Sequence, residues 1–121
     1  MNENGYQQYK EQSVMTMTQG ELLLLLYDEL LKRLKRADLA LERENYELFT
    51  KSVERSLEIV RYLKDTLDYG YAISRELSNM YDFFIYELGR LQAGRKREVI
   101  HELQPLVKEL RDTFAEAEKA V

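Results

Sequence analysis

NYELFTKSVERSLEIVRYLKDTLD, residues 45–68, is the stretch that decides the fold class. At 100° per residue, Tyr46, Phe49, Val53, Leu57, Val60 and Leu67 form one apolar stripe, the pattern of a helix lying on a core. Asn45 supplies a capping oxygen before the stripe, and Gly70 a turn after it. Leu48, Ile59, Tyr62 and Thr66 fall on a second stripe, roughly 130° from the first. A bundle core needs only one. The second predicts an outer face that something covers, either the chain's own tail or a partner.

The same periodicity extends in both directions. Thr18 and Glu21 form a capping box ahead of the run Leu22 to Leu26. A first helix is expected over 19–43, with Leu23, Leu26, Tyr27, Leu30, Leu34, Ala37 and Leu41 inward. Leu24, Leu25, Leu31 and Leu39 lie off that stripe and add spare apolar surface. A third helix is expected over 72–92, with Ile73, Leu77, Met80, Phe84, Leu88 and Leu91 inward and Gly94 ending it. A fourth starts near Lys96 and uses Val99, Leu103, Leu106, Leu110, Phe114 and Ala117. Pro105 inside it predicts a kink or a fresh helical start. Short connections between helices imply antiparallel neighbours. The expected fold is therefore all-α: an antiparallel up-down-up-down four-helix bundle over 18–121, preceded by a mobile N-terminal segment over 1–17.

Composition agrees and narrows the chemistry. The chain has 121 residues, a third of them charged, with five glycines and one proline, which suits one helical domain. A net charge of −4 gives no electrostatic reason to expect nucleic acid. There is no cysteine, and the one histidine, His101, lies on the outer side of its helix. Glu98 and His101 form a single E-x-x-H, whereas a di-iron bundle needs that motif on two helices. Nucleophilic triads lack a partner histidine, and no phosphate-binding glycine loop is present. No catalytic, metal or cofactor site is expected. The opening MNENGYQQYKEQ has no apolar signal core, and no run approaches the roughly 20 apolar residues that span a bilayer. A cytoplasmic protein without membrane insertion is the expectation.

The segment Met80-Tyr81-Asp82-Phe83-Phe84-Ile85-Tyr86 carries a further signal. Asp82 points almost opposite Phe84, with Tyr81 and Ile85 on one flank. These aromatics either fill seams against neighbouring helices or wall a groove in which Asp82 accepts hydrogen bonds. An intramolecular partner for Asp82, such as Arg75 or Arg111, is the competing reading.

Several motifs in order carry a resemblance: Tyr6-x-x-Tyr9, Leu25-Leu26-Tyr27, Leu67-Asp68-Tyr69-Gly70-Tyr71-Ala72-Ile73-Ser74, Leu77-Ser78-Asn79-Met80-Tyr81-Asp82-Phe83 and Leu110-Arg111-Asp112-Thr113-Phe114. Together, over about residues 5–118, they resemble the flagellar secretion chaperone family, FliS. The resemblance implies a helical bundle that binds the disordered C-terminal region of flagellin, prevents premature polymerisation and keeps the subunit competent for type III export. It implies that the export apparatus meets the chaperone–cargo complex, and that Tyr6 and Tyr9 cover part of the groove when cargo is absent. The family's closing motif often has tryptophan where this chain has Phe114. The expected contact set is Tyr6, Tyr9, Leu24, Leu25, Leu31, Leu48, Ile59, Tyr62, Tyr69, Tyr81, Asp82 and Ile85. The alternative function is a helical module that uses the same stripes for a homodimer or for holding another regulator, without flagellin.

Overall fold

The computed structural model describes residues 17–119, and these form four helices with no strand among them. They are α1 (Gln19–Glu42), α2 (Tyr46–Asp65), α3 (Ile73–Gly94) and α4 (Arg97–Lys119). The expected Tyr6 and Tyr9 contacts lie outside the described residues.

The first two helices begin at side-chain caps. The Thr18 hydroxyl accepts from the Glu21 amide at 3.1 Å, and Asn45 Oδ1 accepts from the Leu48 amide at 3.2 Å. Both satisfy amides that the first turn of a helix leaves without partners. Between α2 and α3, Asp68 builds the turn: its Oδ1 accepts from the Gly70 amide at 2.9 Å, and its carbonyl accepts from the Ser74 hydroxyl.

Two helix ends differ from expectation. α3 continues through Gly94, and Arg95 takes the left-handed conformation with φ 54°. Such a φ costs a non-glycine residue about 1–2 kcal/mol. Arg95 offsets part of that by placing its guanidinium 4.2 Å from the centre of the Tyr46 ring. This contact clips the end of α3 to the start of α2. Tyr46, which its spacing put in the core stripe, is 42% exposed. α4 runs unbroken through Pro105, so the fresh helical start expected there does not occur. The proline is exposed, and the His101 carbonyl that it leaves without an amide partner is on an exposed residue.

α1 packs most extensively on α2 and α4, α2 also holds α3, and the α3–α4 seam is the thinnest. Tyr27, Leu30, Leu34, Phe49, Val53, Val60, Phe84, Leu88, Leu91, Ile100, Leu103 and Val107 fill the centre. Ion pairs outside the core fix α4 against α1. Arg97 donates to Asp38 at 2.7 Å, His101 Nε2 lies 3.1 Å from the same Oδ1, and Arg111 donates to Asp28 at 3.0 Å. The Arg97 hydrogen bond, helped by His101, holds the Asp38 carboxyl below its ordinary range despite partial burial.

The second stripe of α2 needs correction. Ile59 is 6% exposed and belongs to the core. Ser52 and Ser56 are buried as well, so the α2 residues Ser52, Ser56, Ile59 and Leu63 form a buried row beside the apolar one. Ala37 and Ala40 are small buried residues of α1. The Ser56 hydroxyl donates to the Ser52 carbonyl at 2.9 Å, which removes the cost of burying it. Leu48 and Tyr62 remain 41% and 48% exposed, but they stand fourteen residues apart, about 21 Å along the axis, with no continuous stripe between them.

Candidate functional site

The start of α1, the end of α2, the start of α3 and the end of α4 meet at one end of the bundle, as antiparallel topology requires. There the helices surround a largely apolar groove of about 340 Å³. Leu22, Leu23 and Leu26 of α1 form one wall. Tyr62, Leu63, Thr66 and Leu67 at the end of α2 form the second. Tyr71 and the α3 residues Ile73 and Leu77 form the third, with Phe114 of α4 closing the set. Tyr71 and Ile73 are 67% and 53% exposed, unusual for apolar side chains at the mouth of a cavity.

Tyr81 reaches the floor of the groove, and its hydroxyl lies 2.5 Å from that of Tyr27. Both residues are almost wholly buried, at 1% and 0% exposed. Burial is the main cause that pushes both phenols above their ordinary pKa, so both stay protonated at neutral pH. Tyr27 also stacks on Phe114, with ring centres 5.8 Å apart. At the rim, the Glu118 carboxylate of α4 covers Gly20, and the Thr18 hydroxyl lies 3.4 Å from it. An acidic group at the start of α1 meets the positive end of that helix dipole.

Of the residues expected to contact a partner, the structure brings Tyr62 and Tyr81 into this groove. Tyr81 is floor rather than flank, because it turns into the bundle to meet Tyr27. Leu24, Leu25 and Leu31 are half-buried on α1, and Leu31 and Ile85 pack against the core. Tyr69 is exposed on the connection, with its hydroxyl 3.3 Å from that of Ser78. Asp82 is exposed and is gripped by Lys64 of α2, while Arg111 is engaged with Asp28. The intramolecular reading of Asp82 therefore has a partner, though not either arginine named for it.

Leu23, Leu26, Ile73, Leu77 and Phe114 read as core from their spacing, and the structure places them on the groove walls. The available signal was their position. Each sits in the first or last turns of its helix, at the end of the bundle where the groove lies. Five consecutive leucines at the start of α1, Leu22 to Leu26, make that end apolar on every side.

Residues 2–121 match the family model described as flagellar protein FliS. The chain belongs to the FliS family. It is 29% identical over 115 residues to the flagellar secretion chaperone FliS of Bacillus subtilis (strain 168), a match that spans 95% of this chain and 86% of the relative. Its fold matches a structure described as a flagellar chaperone from bacteria, with a TM-score of 0.82 and 98% of each chain covered. That likeness at 16% identity concerns the fold alone. Membership of the FliS family, together with the name of the Bacillus subtilis relative, supports a flagellar chaperone role. Among the described residues, no group of three or more His, Cys, Asp and Glu side chains could hold a metal, and no helix is long and apolar enough to cross a membrane.

Proposed function

We propose that this chain is a cytoplasmic export chaperone whose groove anchors the disordered C-terminal region of flagellin. Holding that region prevents premature polymerisation, and the chaperone–cargo complex is the form presented to the flagellar export apparatus. The observation that supports the reading most is an apolar groove at the open end of a FliS-family bundle, with Tyr62, Tyr71 and Ile73 exposed around it.

The chemistry suits a helical segment of cargo. Apolar side chains at steps of three and four enter the groove, and the aromatic rim supplies area at little side-chain entropy cost. The groove is an anchor and not the whole contact. Ordering a flexible segment costs about 1.5 kcal/mol per residue, so cargo that folds on binding covers about 1,000–3,000 Å². Beyond the groove, Leu39, Leu48, Phe83 and Tyr86 are exposed and can extend the contact.

Size-exclusion mass measurement with and without a flagellin C-terminal peptide tests the proposal. A defined complex of fixed stoichiometry is expected. A homodimer whose mass and elution ignore the peptide would assign the exposed apolar surface to self-association instead.

A further inference from the structure

The outer face of α1 carries a charge pattern that neither the core nor the groove explains. At 100° per residue, Lys32, Lys35, Arg36, Leu39 and Arg43 fall within an arc of roughly 100°, and all five are exposed. The chain has a net charge of −4, yet this strip holds four basic groups and no carboxylate. The acidic residues of the same stretch lie to one side of it, where Arg97 donates to Asp38 at 2.7 Å and lies 3.9 Å from Glu42. Lys32 has Glu29 at 3.6 Å. Among the described residues, Lys35, Arg36 and Arg43 have no ion-pair partner. The outer face of α2 differs, since Lys51 is matched by Glu47 and Arg55 by Glu58. Like charges one turn apart repel and weaken a helix, so the strip costs the free chain stability. Leu39 stands in its middle, 38% exposed. Beside it, Lys35 lines a hollow between α1 and α4 that has Leu31, His101 and Lys108 on its walls and no acidic residue.

We propose that this strip seats an acidic stretch of the flagellin C-terminal region, whose carboxylates flank an apolar side chain laid over Leu39. The proposal rests on the flagellin reading above. Cargo that folds on binding covers more surface than the groove offers, and charge complementarity decides which cargo residues lie where. Asp68 is the one charged residue lining the groove, and no basic side chain lines it. Cargo carboxylates are therefore disfavoured in the groove and favoured on the strip, which fixes register where apolar walls alone tolerate sliding. Leu26 on the groove wall and Leu39 stand thirteen residues apart on α1, about 20 Å along its axis. The acidic stretch then lies about 13 residues from the apolar groove anchors if the link is helical, and about six if it is extended. A nucleic acid is the competing occupant of a basic strip, and the net negative charge of the chain opposes it.

The test pairs the full chain, and a variant carrying Lys35→Gln, Arg36→Gln and Arg43→Gln, with two flagellin C-terminal peptides. One peptide is native, and the other has its carboxylates replaced by amides. Glutamine keeps the helix propensity of the residues that it replaces, so the variant should unfold in urea at the parent's midpoint. Exposed ion pairs are individually weak, and three together are expected to change Kd about tenfold. The parent should bind the native peptide about tenfold more tightly than the variant does, and that gap should shrink between about 0.05 M and about 0.3 M salt. With the amide peptide, parent and variant should bind alike. Equal affinity of both proteins for the native peptide overturns the proposal, as does a gap that persists with the amide peptide. Displacement of the native peptide from the parent by duplex DNA also overturns it, in favour of a nucleic acid. Should the variant fail to fold, the parent alone decides, because equal affinity for the two peptides contradicts a seat for carboxylates. Failure of the parent to bind either peptide would sink the flagellin reading itself, a different result from equal binding.

Discussion

Ile59 and Tyr62 lie one turn apart on α2, yet the structure gives them opposite roles. Ile59 is 6% exposed and belongs to the core, whereas Tyr62 is 48% exposed on the groove wall. Ile59→Ala removes buried methyl groups and leaves a void beside Ser56, which costs about 3 kcal/mol. For a domain of this size that lowers Tm by roughly 10 °C. A water-facing Ile59 would shift stability by no more than about 0.5 kcal/mol. Tyr62→Ala leaves stability within about 1 kcal/mol, because a half-exposed ring is exchanged for a better helix former. Its effect falls on binding. A tyrosine buries about 150–250 Å², and the exposed half covered by cargo is worth about 2 kcal/mol at about 25 cal/mol/Å², roughly 30-fold in Kd. Urea unfolding followed by circular dichroism measures the first effect, and peptide titration the second. Normal stability in Ile59→Ala together with normal binding in Tyr62→Ala would refute both placements.

Three further outcomes follow from the helix chemistry. Gly89 is exposed in the interior of α3 and a Cβ there meets nothing within 4 Å, so Gly89→Ala should raise stability by about 1 kcal/mol in urea. Pro105→Ala restores an amide donor to the His101 carbonyl within a continuous α4 and should stabilise by up to about 3 kcal/mol, read as a higher Tm. The Asp38 carboxyl titrates below its unfolded value, so its contribution is present above the ordinary Asp range and is lost as pH falls through the folded value. Asp38→Asn should therefore be less stable than the parent at neutral pH, with the difference shrinking as pH falls below the ordinary Asp value of about 4 in urea titrations.

The bundle was legible because Tyr27, Leu34, Val53, Phe84 and Leu103 repeat at helical spacing, and burial selects for that spacing directly. Thr18 and Asn45 marked two starts correctly because side-chain capping is local chemistry. Ile59 was misplaced because buried serines look polar in sequence. Ser52 and Ser56 are 2% and 0% exposed, a burial that shows only once the helices are packed. Tyr81 was placed on a flank for a similar reason: its hydroxyl partner is 54 positions away. The groove itself was least legible, since spacing reports which face of a helix is apolar and not where the packed helices leave room between them. Gly94 likewise suggested a left-handed stop that Arg95 provides, and the Tyr46 ring that supports it is distant in sequence.

The central claim is that flagellin's C-terminal region occupies the groove at the open end of the bundle. Amide hydrogen exchange on the full chain, with and without that region, tests it most directly. The connection between α2 and α3 and the first turn of α1 have few helical hydrogen bonds of their own, so they exchange quickly unless covered. The account predicts slowed exchange at Gln19 to Leu23 and at Leu67 to Ile73 when the peptide is bound. Protection confined to the opposite end of the bundle, around the α1–α2 turn and Arg95, would contradict it.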